Sequence, residues 1–202
     1  MEKNKIIDFT VKNLIDNTRK KTANPGGGAI ISLVGNLGLN LILMMAKKDY
    51  GDEKLNKKSQ KIEKKFKKYS SELEELMQED IDKVNLLIRA YKDENISNYD
   101  DYIIEANKAP KRTIELMIII LQDCDFILKH GKIEAISDGE IGLRLVKEAI
   151  HSSFINLTMN EDNLSDEKIE KTNYKSIIKF CDKLYKDNIK IIDERKKKWD
   201  KQ

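Results

Sequence analysis

A proline and three consecutive glycines, Pro25-Gly26-Gly27-Gly28, stand directly before a stretch from Ala29 to Ala46 that carries no charged residue. Pro25 fixes one backbone angle and withholds a hydrogen-bond donor. Three glycines let the backbone come closer to a neighbour than any side chain would allow. Where such a turn enters a helix, free N–H groups and the positive end of the helix dipole point at whatever lies there. Two readings are open. The turn either starts a buried helix and does no more, or binds an anionic or carbonyl-bearing group.

The apolar stretch is long enough to raise the question of a membrane span. Ser32, Asn36 and Asn40 recur every four residues and form one polar stripe, and Gly35 and Gly38 suit close helix packing. A central buried helix, with the stripe facing a site or a subunit partner, fits better than a span. The N-terminus is charged and leads straight into an amphipathic pattern, unlike a signal peptide.

Elsewhere the chain is written for long helices. Only two prolines and nine glycines interrupt 202 residues, and 36% of them are charged, as on solvated helix faces. Helical periodicity marks segments over about 5–22, 54–94, 98–108 and 111–129, then about twenty residues from Ser137, and a last helix reaching about Lys198. No strand-like alternation appears. The expected fold is all-α, a single domain over residues 1–202, built as a bundle of about seven helices around a central buried one.

The segment over 54–94 has a regular apolar seam: Ile62, Phe66, Tyr69, Leu73, Leu76, then Val84, Leu87 and Tyr91. The step between Leu76 and Val84 is Asp80. An acid there is either paired or functional, or the seam drifts and Met77 and Ile81 face the core with Asp80 near its edge. Ser137-Asp138-Gly139-Glu140 reads as a capping box, with Asp138 favoured by the helix dipole. Asn156 and Asn160 share a core-facing stripe of that helix, and buried amides need partners. Ser165-Asp166-Glu167 reads as the cap of the last helix, and His130-Gly131 as a C-cap in which the histidine complements the dipole. The Lys-rich stretch from Lys47 to Lys68 is interleaved with Glu53 and Glu63 and reads as a solvated face. A net charge of +3 is too small to imply a nucleic-acid partner. Cys124 and Cys181 read as reduced, buried thiols of a cytoplasmic protein, and no spacing suits a metal.

In order and spacing these stations resemble the cyclodeaminase domain of formiminotransferase-cyclodeaminase and its stand-alone relatives, including bacterial methenyltetrahydrofolate cyclohydrolases. The resemblance rests on Pro25-Gly26-Gly27-Gly28-Ala29, Leu76-Met77-Gln78-Glu79-Asp80, Ala109-Pro110, Ser137-Asp138, and Asn156 with Asn160, and it spans about residues 5–195. It implies an all-helical homodimer that binds a tetrahydrofolate one-carbon derivative as substrate, with no metal, redox cofactor, nucleic acid or membrane involved. The reaction would be hydrolysis of 5,10-methenyltetrahydrofolate or cyclisation of 5-formiminotetrahydrofolate with loss of ammonia. Asp80 and Asp138 would be catalytic: Asp80 moving the proton, Asp138 pairing with the pterin's amino-pyrimidine edge. Pro25, Gly26, Gly27, Gly28, Ser32, Ser137, Asn156 and Asn160 would bind substrate. The family usually has Ser after the glycines, where this chain has Ala29; Ser32 lies one turn on. The segment Ala46-Lys47-Lys48-Asp49-Tyr50-Gly51 replaces the family's Gly-Lys-Lys. A non-catalytic helical dimer that binds folate or acts as a scaffold is the alternative.

Overall fold

The computed structural model describes residues 5–20, 24–93, 96–165, 173–199 and 201. A 3-10 turn, Ile6–Asp8, is followed by α1 (Val11–Thr18), α2 (Gly27–Met44), α3 (Glu53–Tyr91), α4 (Tyr99–Ala106), α5 (Lys108–Asp123), α6 (Asp125–His130), α7 (Ile136–Glu161) and α8 (Tyr174–Trp199). Among the described residues there is no strand. The fold is all-α, as the periodicity predicts.

Helix α2 is the hub, packed along α7 and α3 and touching α5. Glycine makes this possible. A Cβ at Gly38 would stand 2.8 Å from the Gly142 carbonyl oxygen, and one at Gly35 would press on Met117 and Ala149. The two backbones therefore cross with almost nothing between them, and α7 runs antiparallel to α2. The polar stripe of α2 is absorbed by neighbouring helices. The Ser32 and Thr113 hydroxyls lie 2.9 Å apart, Ser70 donates to Asn36 Oδ1 at 2.6 Å, and Asn40 Nδ2 donates to both Asn36 and Ser70. The stripe fastens α2 to α3 and α5.

Helix α3 is 39 residues long, about 58 Å at 1.5 Å per residue. Asp52 caps it by accepting from the Leu55 N–H. The turn before it is held by Asp49, which accepts from the Gly51 N–H and the Asn56 amide, with Gly51 at φ 67°. Lys57–Glu53 and Lys67–Glu63 pairs decorate its outer face, in keeping with a solvated lysine stretch. Helix α8 closes the other side of the bundle. Asn188 donates to the Leu121 carbonyl at 2.7 Å, and Arg195 donates to the Leu128 and Gly131 carbonyls at 2.6 and 2.7 Å. Cys124 and Cys181 are free and buried.

Several local expectations are corrected. The segment 5–22 is a 3-10 turn and a short helix, because Thr10 breaks in and caps α1 by accepting from the Asn13 N–H. The segment 111–129 is two helices divided at Cys124, and the first begins before Pro110. Gly131 is the C-cap of α6, as expected, and its backbone there is extended (φ −63°, ψ 179°). Arg195 takes the terminal carbonyls, and burial together with Arg195, Lys58 and Lys129 holds His130 below its usual pKa. Helix α7 starts at Ile136, behind Ala135 and with no side-chain cap, so Ser137-Asp138-Gly139-Glu140 is its first turn and not a capping box. Glu140 is drawn away by Lys196 and Arg144. Asp166 and Glu167, expected to cap the last helix, lie outside the described residues.

The glycine crossing sets the first prediction. In Gly142→Ala the new Cβ would meet the Gly38 carbonyl oxygen at 2.5 Å and the Ile42 nitrogen at 3.0 Å. Overpacking of this kind costs about 1–3 kcal/mol, against about 1 kcal/mol gained in helix propensity. Urea unfolding should show net destabilisation.

Candidate active site

The start of α2 and the middle of α3 meet at one point. Gly26 caps α2 in extended conformation and, lacking a side chain, accepts from none of its first N–H groups through one. The Ala29 N–H donates to the Asp80 carboxylate. Gly28 lies against that same carboxylate, which a Cβ there would overlap. The third glycine is thus required: it admits an acid to the helix N-terminus. A Cβ at Gly27 would lie 3.8 Å from Asn156 Oδ1, so the second glycine faces the amide of α7. Pro25 is buried, and the Asn24–Pro25 peptide is cis. Asn24 accepts from the Asn85 side chain at 2.7 Å, which ties the loop to α3.

Asp80 is only 4% exposed, beside Met77 and Ile81, which are also buried. Among the described residues it has no ion-pair partner. Burial pushes its carboxyl up to about 6, opposed by the hydrogen bond from the Ala29 N–H. It therefore changes charge near neutrality, as a proton-transfer group must. The seam drifts, with Met77 and Ile81 facing the core, but Asp80 is buried with them and does not lie at the edge.

Asn160 Nδ2 donates to Asn107 Oδ1 at 2.7 Å. Asn107 is 2% exposed and immediately precedes α5. It escapes the sequence reading because it belongs to no periodic stripe; its place just before Ala109-Pro110 is the signal that marks it. Ser153, one turn before Asn156, has a buried hydroxyl without a hydrogen-bond partner. Beyond Asn160 opens a cleft of about 190 Å³ lined by Leu87, Ile88, Tyr91, Tyr99, Ile103 and Asn163. The Tyr91 and Tyr99 rings are 6.2 Å apart.

Gly26, Gly27, Gly28, Asp80, Asn156 and Asn160 are thus gathered around one end of α2, with Pro25 behind them. Ser32 lies one turn in, its hydroxyl engaged by Thr113. Ala29 is fully buried and packs with Ile6, Met77 and Ile81. Its methyl faces that apolar cluster, and only its N–H serves the site. Ser137 and Asp138 are elsewhere. They begin α7 beside Met45, whose sulfur contacts Gly139. That is the far end of α2, about 25 Å from Gly28 at 1.5 Å per residue.

A titratable acid at a glycine-capped helix N-terminus of an all-helical bundle is an arrangement able to exchange a proton with a small molecule. The protein belongs to the formiminotransferase-cyclodeaminase family, whose sequence profile matches residues 10–179. The fold agrees. The crystal structure of formiminotetrahydrofolate cyclodeaminase from Thermotoga maritima superposes with a TM-score of 0.81 at 20% identity, covering 94% of this chain and 96% of that one. No curated protein matches the chain in sequence.

The buried acid gives a pH-dependent prediction. Below about pH 3.8, the ordinary value, Asp80 is protonated in both folded and unfolded chains. Above about 6 it is ionised in both, and the folded chain bears the full cost of burying the charge. Two pKa units correspond to about 3 kcal/mol. Asp80→Asn keeps an acceptor for the Ala29 N–H, so it should raise stability at pH 7.5 by up to that amount relative to its effect near pH 4. Urea unfolding of both proteins across this range measures the difference.

Proposed function

We propose that this protein is an enzyme of folate one-carbon chemistry, working at the carbon between N5 and N10 of tetrahydrofolate. The observation that carries the reading is the contact of Asp80 with Gly28 and the Ala29 N–H. A buried acid, titrating at about 6, stands at the end of a helix dipole with an amide facing it across the glycines. The cyclodeaminase fold of the Thermotoga maritima protein is consistent with it.

Two reactions share this requirement. In one, water adds to the carbon of 5,10-methenyltetrahydrofolate, a proton is lost, and the C–N5 bond opens to leave 10-formyltetrahydrofolate. In the other, N10 attacks the carbon of protonated 5-formiminotetrahydrofolate and ammonia departs, leaving 5,10-methenyltetrahydrofolate. Each passes through a tetrahedral carbon, and each needs a group that takes a proton from the attacking atom and returns one to the leaving nitrogen. Asp80 fills that role: ionised it accepts from water or N10, and protonated it donates to the departing nitrogen. The first N–H groups of α2 hold a carbonyl or carboxylate of the substrate. Asn156 and Asn160 present amides to its polar edge. Asn160 also lines the cleft from Leu87 to Tyr99, which takes the aryl portion of a folate against its two tyrosines.

The arrangement serves either reaction, and the substrate turned over tells them apart. The protein would work as a homodimer, which accords with the apolar residues left exposed along α2 and α7. The test supplies each folate separately. Loss of methenyl absorbance identifies the hydrolase; gain of it with release of ammonia identifies the cyclodeaminase. Absence of both signals would overturn the reading. For the hydrolase, kcat/KM should rise as pH passes about 6 with Asp80 ionising. Asp80→Asn should lose about 10²–10⁴-fold, as expected when a positioned acid–base group is removed, together with that pH limb.

A further inference from the structure

The side chain of Asn107 does not serve the helices it joins. Asn107 ends α4 and precedes α5 with helical backbone (φ −80°, ψ −11°). Its N–H donates to the Ile103 carbonyl at 3.0 Å, and its carbonyl accepts from the Lys111 N–H at 3.1 Å. An asparagine before a helix usually turns its side-chain oxygen onto the N–H groups of the next turn; here that cap is absent. Asparagine is also a weaker helix former than alanine or leucine. Yet Asn107 is 2% exposed, and its side-chain oxygen is spent on Asn160 Nδ2, 53 residues away, at 2.7 Å. The residue is explained by what it does to Asn160.

A side-chain amide has a donor end and an acceptor end of nearly the same shape, and its terminal torsion is soft. Left free, it would meet a carbonyl edge or an N–H edge of a ligand equally well. Asn107 removes that freedom: with Nδ2 engaged, Asn160 keeps its oxygen, which accepts from no group among the described residues. Asn163, which lines the same cleft, is fixed in the same sense. Its Nδ2 donates to the Met159 carbonyl at 2.9 Å. A carbonyl can only accept, so chemistry settles the direction there, and the Asn163 oxygen is the end left over. Asn156 turns its Oδ1 toward Gly27. No lysine, arginine or histidine is among the residues that line the cleft. The side-chain amides around this end of the bundle therefore turn acceptors toward a ligand.

We infer that Asn107 is a positioning residue for substrate selection: by holding Asn160 Nδ2 it turns Asn160 Oδ1 into the site as a fixed acceptor, and the pocket thereby selects the edge of the pterin that carries the N3 hydrogen and the 2-amino group. A ligand presenting a carbonyl or an unprotonated nitrogen in that place sets acceptor against acceptor and is rejected. Asn107 touches no substrate and takes no part in moving the proton. The identity of the ligand rests on the folate reading; the direction of the Asn107–Asn160 pair does not.

Two experiments separate them. The first needs no ligand. In a proton–nitrogen correlation spectrum of the wild-type protein, the Asn160 side-chain amide is identified by its loss in Asn160→Ala and the Asn107 amide by its loss in Asn107→Asp. The Asn160 amide should exchange slowly with water and should keep that protection in Asn107→Asp, which retains an acceptor. Fast exchange at Asn160 with protection at Asn107 means that the pair runs the other way and overturns the inference. The second experiment uses the folate that the protein turns over and its 2-desamino-2-methyl analogue. Loss of one hydrogen bond corresponds to about tenfold in affinity, so the wild type should show a KM about that much higher for the analogue. Asn107→Leu, which has no acceptor, should raise KM for the natural folate by a similar factor with kcat little changed, as for a contact made equally in ground and transition states, and should no longer tell the two compounds apart. Asn107→Asp should restore both the KM and the discrimination. A wild type that does not distinguish the compounds, or an Asn107→Leu protein that still does, overturns the selection. Absence of both folate reactions in the wild type overturns the folate reading, and amide exchange still decides the direction of the pair.

Discussion

Close contact between α2 and α7 through Gly35, Gly38 and Gly142 is the constraint on which the rest of the molecule depends. A Cβ at any of the three would meet a backbone or a packed side chain at 2.8 Å or less. Removing them brings two long helices into antiparallel register along their whole length. That register places Asn156 opposite Gly27 and sends Asp138 to the other end. With the Asn36–Ser70–Asn40 hydrogen bonds it also fixes α2 against α3, which brings Gly28 onto Asp80. The site is thus a by-product of helix packing: three helices cross where only glycine fits, and the space left by the missing side chains is filled by a carboxylate.

That carboxylate lives between two opposing forces. Burial beside Met77 and Ile81 favours its neutral form, while the Ala29 N–H and the α2 dipole favour the charged one. Neither wins outright, and the group titrates at about 6. A cation in place of the amide would hold it ionised, and an apolar contact would hold it neutral. A backbone N–H provides an intermediate pull, and the glycine turn supplies one without adding a side chain that would crowd a ligand.

The helical class, the central helix and the glycine turn were legible in the sequence because each has a local signature: periodicity, absence of charge, and a cluster of residues with one physical use. Asp80 was legible as a break in a seam. What the sequence could not show is which stations share a place. Asp138 and Asn156 sit on one helix 18 residues apart, and only the length of α7 reveals that they cannot meet in one chain. Asn107 was hidden because its partner, Asn160, is 53 residues away. The capping box at Ser137 misled for a similar reason: its glutamate finds Lys196, 56 residues on, and the helix extends back to Ile136. Local patterns named the elements, and long-range partners decided their ends.

The same reasoning explains why α2 resembles a membrane span. It is long and apolar enough by length and composition, yet 44% of it is buried inside this chain. A helix serving as hub must carry small and apolar residues or paired polar ones on its packed sides, which accounts for Gly35, Gly38 and Ile42 and for the Ser32, Asn36 and Asn40 stripe. Those contacts do not account for Leu37 and Met44, which are 52% and 46% exposed. The helix carries no charge because it packs on three sides, with its polar stripe taken up by α3 and α5, and its N-terminus is left to meet the Asp80 carboxylate.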